Sequence, residues 1–117
     1  MAKPLVWTDR SQLDLEEILE YIAFHDSPRK ALSLFEKVTA KADSIVEFPS
    51  KGRVVPELKR IGVLSFLEQI QSPYRIIYRE FEKHVAIVGV FDGRRDLGEL
   101  LIERAGRGIG KKQRGTP

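Results

Sequence analysis

Three apolar runs, "VLSFLEQIQ" from Val63, "YRIIYREF" from Tyr74 and "HVAIVGVF" from His84, are separated only by "SP" and "EK". A parallel crossover needs a dozen or more residues, whereas a break of two suits a hairpin. The second half of the chain is therefore expected to form an antiparallel meander. In "YRIIYR", period-two alternation puts Tyr74, Ile76 and Tyr78 on one face and Arg75, Ile77 and Arg79 on the other.

The first half reads as helices. After the short β-type run "PLVWT", Thr8 or Asp9 can cap a helix in which Leu15, Ile18, Leu19 and Ile22 recur at helical spacing up to "FHDSP". Ser27 caps a second helix with Pro28 at its first position, where a missing N–H does no harm. Ala31, Leu34, Phe35, Val38, Ala42, Ile45 and Val46 carry one apolar stripe to "FPSKG", where Pro49 and Gly52 stop it. The expected fold class is α+β: an N-terminal strand and a helical hairpin packed on a twisted antiparallel sheet, closed by a short C-terminal helix with Leu97, Leu100 and Leu101. Gly98 weakens that last element.

At 117 residues the chain has room for one core. We expect a single domain over 1–105 and a basic, Gly-rich tail over 106–117. With no cysteine there is neither a disulfide framework nor a thiolate site, and His25 and His84 lack ligand-like spacing, so no metal and no cofactor is expected. The longest apolar run, "VAIVGVF", is far short of the roughly 20 residues a membrane span needs, and no signal-peptide pattern opens the chain. The expectation is a soluble, cytoplasmic protein without a membrane partner.

Charge is unevenly placed. Residues 1–50 hold six Lys and Arg against nine Asp and Glu, residues 51–93 seven against five, and residues 94–117 seven against three. The basic C-terminal side is compatible with an acidic partner, protein or nucleic acid. Arg75 and Arg79 share a strand face, and "FDGRRD" places Arg94 and Arg95 just past the next strand. The bland reading pairs the strand arginines with carboxylates such as Glu68 or Glu80. In the functional reading the meander gathers Arg75, Arg79, Arg94 and Arg95, with Arg53 or Lys51 nearby, into a patch whose guanidinium forks suit phosphates or carboxylates. The candidate binding set is thus Arg53, Arg75, Arg79, Arg94 and Arg95.

The series "YIAFHDSPRKA", "FPSKGRVVPEL", "SPYRIIYR" and "VGVFDGRRDL" resembles the RelE/ParE superfamily of toxins from bacterial type II toxin–antitoxin pairs, the ParE branch in particular, over about Leu5 to Arg104. The resemblance implies the α+β fold just read, with "PLVWT" added to the sheet. It also implies a cognate ParD-like antitoxin, whose ribbon–helix–helix part binds operator DNA and whose C-terminal segment wraps the toxin.

Two activities occur in the superfamily. RelE-like members resemble ribosome-dependent mRNA endonucleases, and Arg75 with Arg94 or Arg95 matches their phosphate-binding arginines. Where that set has lysines this chain has Phe66 and Glu68, and where a proton-transfer Tyr or His is expected it has Phe91, Leu100 and Leu101. Apolar side chains cannot transfer protons. Of the remaining groups, Tyr78 is expected in the core, His84 in a solvated turn, Glu57 as an ion-pair partner that orders the arginines, and Trp7 in the core or over the sheet edge. No catalytic residue is assigned. The expected activity is ParE-like inhibition of DNA gyrase without intrinsic catalysis. The alternatives are a RelE-like endonuclease and a nontoxic remnant that only binds an antitoxin.

Overall fold

The computed structural model describes the backbone of residues 3–114 and the side chains of residues 3–106. Strand β1 (Leu5–Trp7) leads into helix α1 (Asp9–His25), whose N-cap is Thr8: its hydroxyl accepts from Ser11 N–H at 3.1 Å. Helix α2 (Pro28–Ile45) begins with Ser27 as cap and Pro28 in the first turn, as the sequence predicts. A 3-10 turn at Pro49–Lys51 and the two-residue strand β2 (Arg53–Val54) follow, then the four-residue helix α3 (Pro56–Lys59). The meander is β3 (Phe66–Gln71), β4 (Tyr74–Glu80) and β5 (Val85–Asp92), and α4 (Gly98–Arg114) closes the chain.

The five strands lie in the order β1-β5-β4-β3-β2. Four of them are antiparallel neighbours, but β1 pairs parallel with β5, Leu5 opposite Val85 and Trp7 opposite Ile87, so the sheet is mixed rather than purely antiparallel. The cause is direction: three helices and three strands separate β1 from β5 in the chain, and β5 comes to lie beside the edge strand β1 running the same way. The register between β4 and β5 slips at Ile77/Tyr78, where Ile77 faces Gly89 and Tyr78 faces Ile87. This bulge lets Ile87 and Val90, three residues apart, point to the same face.

Each face has its own core. The hairpin covers Tyr74, Ile76, Tyr78, Val85, Ile87 and Val90 with Leu15, Val38, Ala42 and Ile45. Of the expected α2 stripe, Phe35 instead lies at the rim, 43% exposed. On the opposite face Phe66, Ile77 and Phe91 pack against Leu58 of α3 and Leu97, Leu101 and Ala105 of α4. That second core corrects the expectation of one open arginine-lined face: apolar packing occupies its middle and leaves the arginines at its margins. Helix α4 is also longer than the short helix expected and runs into the segment read as a tail from Gly106. The basic side chains of that tail lie outside the described residues. Among the described residues no helix is long and apolar enough to cross a membrane, and no group of three or more His, Cys, Asp or Glu could hold a metal.

Candidate functional site

Antiparallel pairing fixes what surrounds Arg75. Arg53 lies opposite Glu68, and Glu68 lies opposite Ile77. Cross-strand partners share a face, so Arg53, Glu68, Ile77 and, by alternation, Arg75 all point the same way. Helix α3 then places Glu57 above them. Arg75 donates Nε to Glu68 Oε1 at 2.7 Å, Nη1 to Glu57 Oε2 at 2.9 Å and Nη2 to Glu57 Oε1 at 2.7 Å. Arg53 binds the other oxygen, Oε2, of the same Glu68 through Nε and Nη2. Signs alternate through the network, so two buried acidic and basic groups, Glu68 and Arg75, are each paired more than once.

The electrostatics follow from the geometry. The Arg75 hydrogen bonds hold the Glu57 carboxyl down at about 2, from the ordinary 4.5. Bonding to Glu57 raises Arg75 further above its usual value. Glu57 thus orders an arginine by ion pairing, as the sequence suggested.

These groups floor a cleft of about 460 Å³ lined by Arg53, Glu57, Arg60, Arg75, Gly93 and Arg94 among others. Gly93 makes the last of these approaches possible. It donates its N–H to Pro73 O at 2.8 Å, and a Cβ there would come within 2.8 Å of that oxygen and 3.1 Å of the Arg75 stem. Any larger residue would push the "GRR" turn off Arg75.

The five sequence-predicted arginines therefore separate into three settings. Arg53, Arg75 and Arg94 share the cleft, joined by Arg60, which the sequence reading did not single out. Arg94 is exposed and grips its own neighbour, Nε to Asp92 Oδ1 at 2.9 Å and Nη2 to Asp92 Oδ2 at 2.8 Å. Arg95 turns with Arg94 into a second, adjoining cleft of about 830 Å³ between the hairpin and the Ser72–Pro73 turn, lined also by Tyr21, His25, Lys30 and Tyr74. Arg79 stands apart. It is four residues along β4 from Arg75, about 13 Å, with its guanidinium over the rings of Phe66 at 5.5 Å and Phe81 at 4.9 Å.

The remaining candidates have structural surroundings. Tyr78 is fully buried; its hydroxyl donates to Pro49 O and accepts from Gly52 N–H. The His84 ring stacks on Phe81 with centroids 4.7 Å apart. Trp7 packs against the hairpin-side core.

The sequence of the ParE toxin family, described as the ParE toxin of the type II toxin–antitoxin system parDE, matches residues 5–97. The chain belongs to the ParE toxin family. No curated protein matches it in sequence. Among solved structures, this ParE-family chain is similar to one in the chromosomal ParDE toxin–antitoxin system of P. aeruginosa. The TM-score is 0.65 at 18% identity, over 78% of this chain and 96% of that one. A chain of the toxin–antitoxin complex RelBE2 from Mycobacterium tuberculosis matches with a TM-score of 0.53 at 17% identity, over 79% and 92%. At such identities the likeness is one of fold.

Among the ion pairs that the sequence reading missed, one joins distant parts of this ParE-family fold. Arg104 of α4 donates Nη1 to Asp14 Oδ2 at 2.9 Å and Nη2 to Asp14 Oδ1 at 3.2 Å, while Nη1 also reaches Val88 O at 3.1 Å. Asp14 in turn accepts the Val90 N–H at 3.2 Å. A single signal was available, an aspartate among the apolar positions of α1, and it does not name a partner so far along the chain.

Proposed function

We propose that this ParE-family toxin acts by binding, inhibiting DNA gyrase as a topoisomerase poison without performing chemistry, and that a ParD-like antitoxin neutralises it. One observation carries the reading: all three nitrogens of the Arg75 guanidinium are taken by Glu57 and Glu68. A catalytic phosphate clamp must offer its donors to the substrate, and general acid–base transfer needs a titratable group poised near the working pH. The Glu57 carboxyl, held near 2, is a spent acceptor with both oxygens bonded.

The outward arginines Arg53, Arg94 and Arg95 then form the target surface, with Arg79 as a separate contact further along β4. For the antitoxin, the hairpin offers exposed apolar side chains, Tyr21, Phe24, Leu32 and Phe35, on which an amphipathic segment can seat. Operator DNA would be reached through that antitoxin rather than by this chain.

The test is to add purified protein to gyrase with supercoiled plasmid, and separately to translating ribosomes with mRNA. Accumulation of linear, cleaved plasmid supports the proposal. Codon-end mRNA cleavage would replace it with the endonuclease reading, and inactivity in both assays together with harmless induced expression would mark a remnant that only binds its antitoxin.

A further inference from the structure

Helix α1 gives one side to the core and leaves the other bare. Leu13, Glu17, Glu20 and Phe24 follow at i, i+4, i+7 and i+11, so they form one line along the helix, flanked by Glu16 and Tyr21. All six are exposed, and Phe24, at 85%, is the most open large apolar side chain among the described residues. We propose that this face is a second docking surface for the target, and that its occupant is a Lys- and Arg-rich, DNA-holding surface of the topoisomerase. The inference rests on the gyrase reading above and names the part of the enzyme that is met.

Charge selects the occupant. Among the described residues Glu16, Glu17 and Glu20 have no ion-pair partner, and the one Lys or Arg of α1, Arg10, is held by Asp14 at 3.4 Å. Like charges three and four positions apart repel, so the row weakens the helix that carries it. The macrodipole does not call for it, since its pull on acids is confined to the first turn, where Asp9 stands. Carboxylates at these spacings lie about 5–6 Å apart, a row of negative charge such as a nucleic-acid backbone presents. An enzyme that grips DNA neutralises phosphates with Lys and Arg, and such a surface can take this row instead. An acidic partner would be repelled.

Apolar anchoring adds specificity. The Tyr21 ring stacks on His25 with centroids 4.1 Å apart, and Phe24 meets the same imidazole edge-on at 5.0 Å, so both aromatics are held in place before a partner arrives. Beside Glu16, the side chains of Trp7, Leu15, Leu19 and Phe35 line an apolar cleft of about 300 Å³ that can receive a partner side chain. The face lies on the hairpin side of the sheet and the Glu57–Arg75 pair on the other, so the two contacts are separate. Tyr21 and Phe24 also belong to the antitoxin seat, and an antitoxin bound there would shut the topoisomerase out.

The experiment compares the wild-type chain with Glu16→Gln/Glu17→Gln/Glu20→Gln, which removes the row but keeps its bulk. Glu36→Gln/Asp43→Asn/Glu47→Gln removes as much charge from other exposed positions of the hairpin. Each is titrated onto immobilised gyrase and assayed for plasmid cleavage. The α1 variant is expected to bind at least tenfold more weakly than wild type, to lose cleavage in proportion and to show a flatter dependence of affinity on salt, while the other triple variant stays within about twofold. Phe24→Ala should lose affinity without changing the salt dependence. If the α1 variant melts below wild type, Glu20→Lys alone repeats the test. Equal gyrase affinity in wild type and the α1 charge variant overturns the inference, as does an equal loss in both triple variants. So does sedimentation that shows a wild-type dimer and a monomeric α1 variant, which would give the face to a second copy. A wild type that neither binds nor poisons gyrase overturns the gyrase reading and this inference together, whereas poisoning by wild type and α1 variant alike overturns this inference alone.

Discussion

Asp14 and Arg104, 90 positions apart, hold each other through two hydrogen bonds at the stretch of β5 that β1 leaves unpaired. Strand β1 covers only Val85 to Ile87, so beyond it the edge of β5 shows bare backbone. Asp14 accepts the N–H of Val90 there and Arg104 donates to the carbonyl of Val88. Two side chains from helices on opposite faces thus take the place of the missing strand.

Asp14→Ala strips the mostly buried Arg104 of its carboxylate and leaves Val90 N–H unpaired, whereas Arg104→Ala leaves Val88 O unpaired and Asp14 with the exposed Arg10, at 3.4 Å, as its remaining ion-pair partner. Asp14→Ala and Arg104→Ala should each lower the unfolding free energy by about 2–4 kcal/mol in urea titrations. In a double-mutant cycle the two losses should be strongly non-additive. A cost below about 1 kcal/mol for either would mean that water serves this edge equally well.

The Glu57–Arg75 pair gives a pH dependence whose sign is fixed. A carboxyl at about 2 in the fold and 4.5 when unfolded contributes stability that is fully present above pH 4.5. That contribution is lost as pH falls from 4.5 towards 2. For a partly open carboxyl the loss should be on the order of 2 kcal/mol. Urea midpoints of wild type should therefore drop over this window more steeply than those of Glu57→Gln, and parallel curves would contradict the assignment.

Gly52 has no room for a side chain. A Cβ there would overlap the Tyr78 hydroxyl and lie 2.9 Å from Glu68 O. Gly52→Ala should therefore destabilise by about 2–3 kcal/mol through displacement of the Tyr78 ring. Tyr78→Phe, which only strips the hydroxyl from Pro49 and Gly52, should cost about 1–2 kcal/mol. Thermal melts of the two variants and of the combination check both, because Gly52→Ala/Tyr78→Phe should relieve the hydroxyl's part of the clash and keep only the contacts at 2.9 Å with Glu68 O and the ring Cζ.

The arginines should not behave alike. Replacing Arg94 and Arg95 together by alanine should leave the melting temperature unchanged, since both are exposed and the Arg94 pair with Asp92 is a surface contact. Toxicity on induced expression should disappear. Arg75→Ala should instead unfold or strongly destabilise the chain. Full toxicity of the folded Arg94→Ala/Arg95→Ala variant would remove that pair from the functional surface.

How far these features were legible depends on the separation of the residues involved. The caps Thr8 and Ser27, the buried positions Val38, Ala42 and Ile45, and the split of Tyr74, Ile76 and Tyr78 from Arg75 are set by neighbours within a few positions, and all follow from pattern. The sequence also allowed Arg75 to pair with Glu68, but not how thoroughly, because that needs the register of β2 on β3 and of β3 on β4 at once. The Asp14–Arg104 pair and the parallel partner of β1 join opposite ends of the chain, and periodicity holds nothing about either. The second core was hidden for a similar reason: Ile77, Phe66 and Phe91 look like ordinary strand residues until α4 is laid across them.

The parallel pairing of β1 with β5 also sets a timetable. Leu5 is synthesised eighty residues before its partner Val85, an interval of roughly 4–16 s at ordinary elongation rates. Contacts of such span form slowly, whereas α1 and α2 are adjacent and can associate while the rest is still being made. A nascent chain therefore presents its helical hairpin, apolar face uncovered, well before the sheet and its arginine cleft exist.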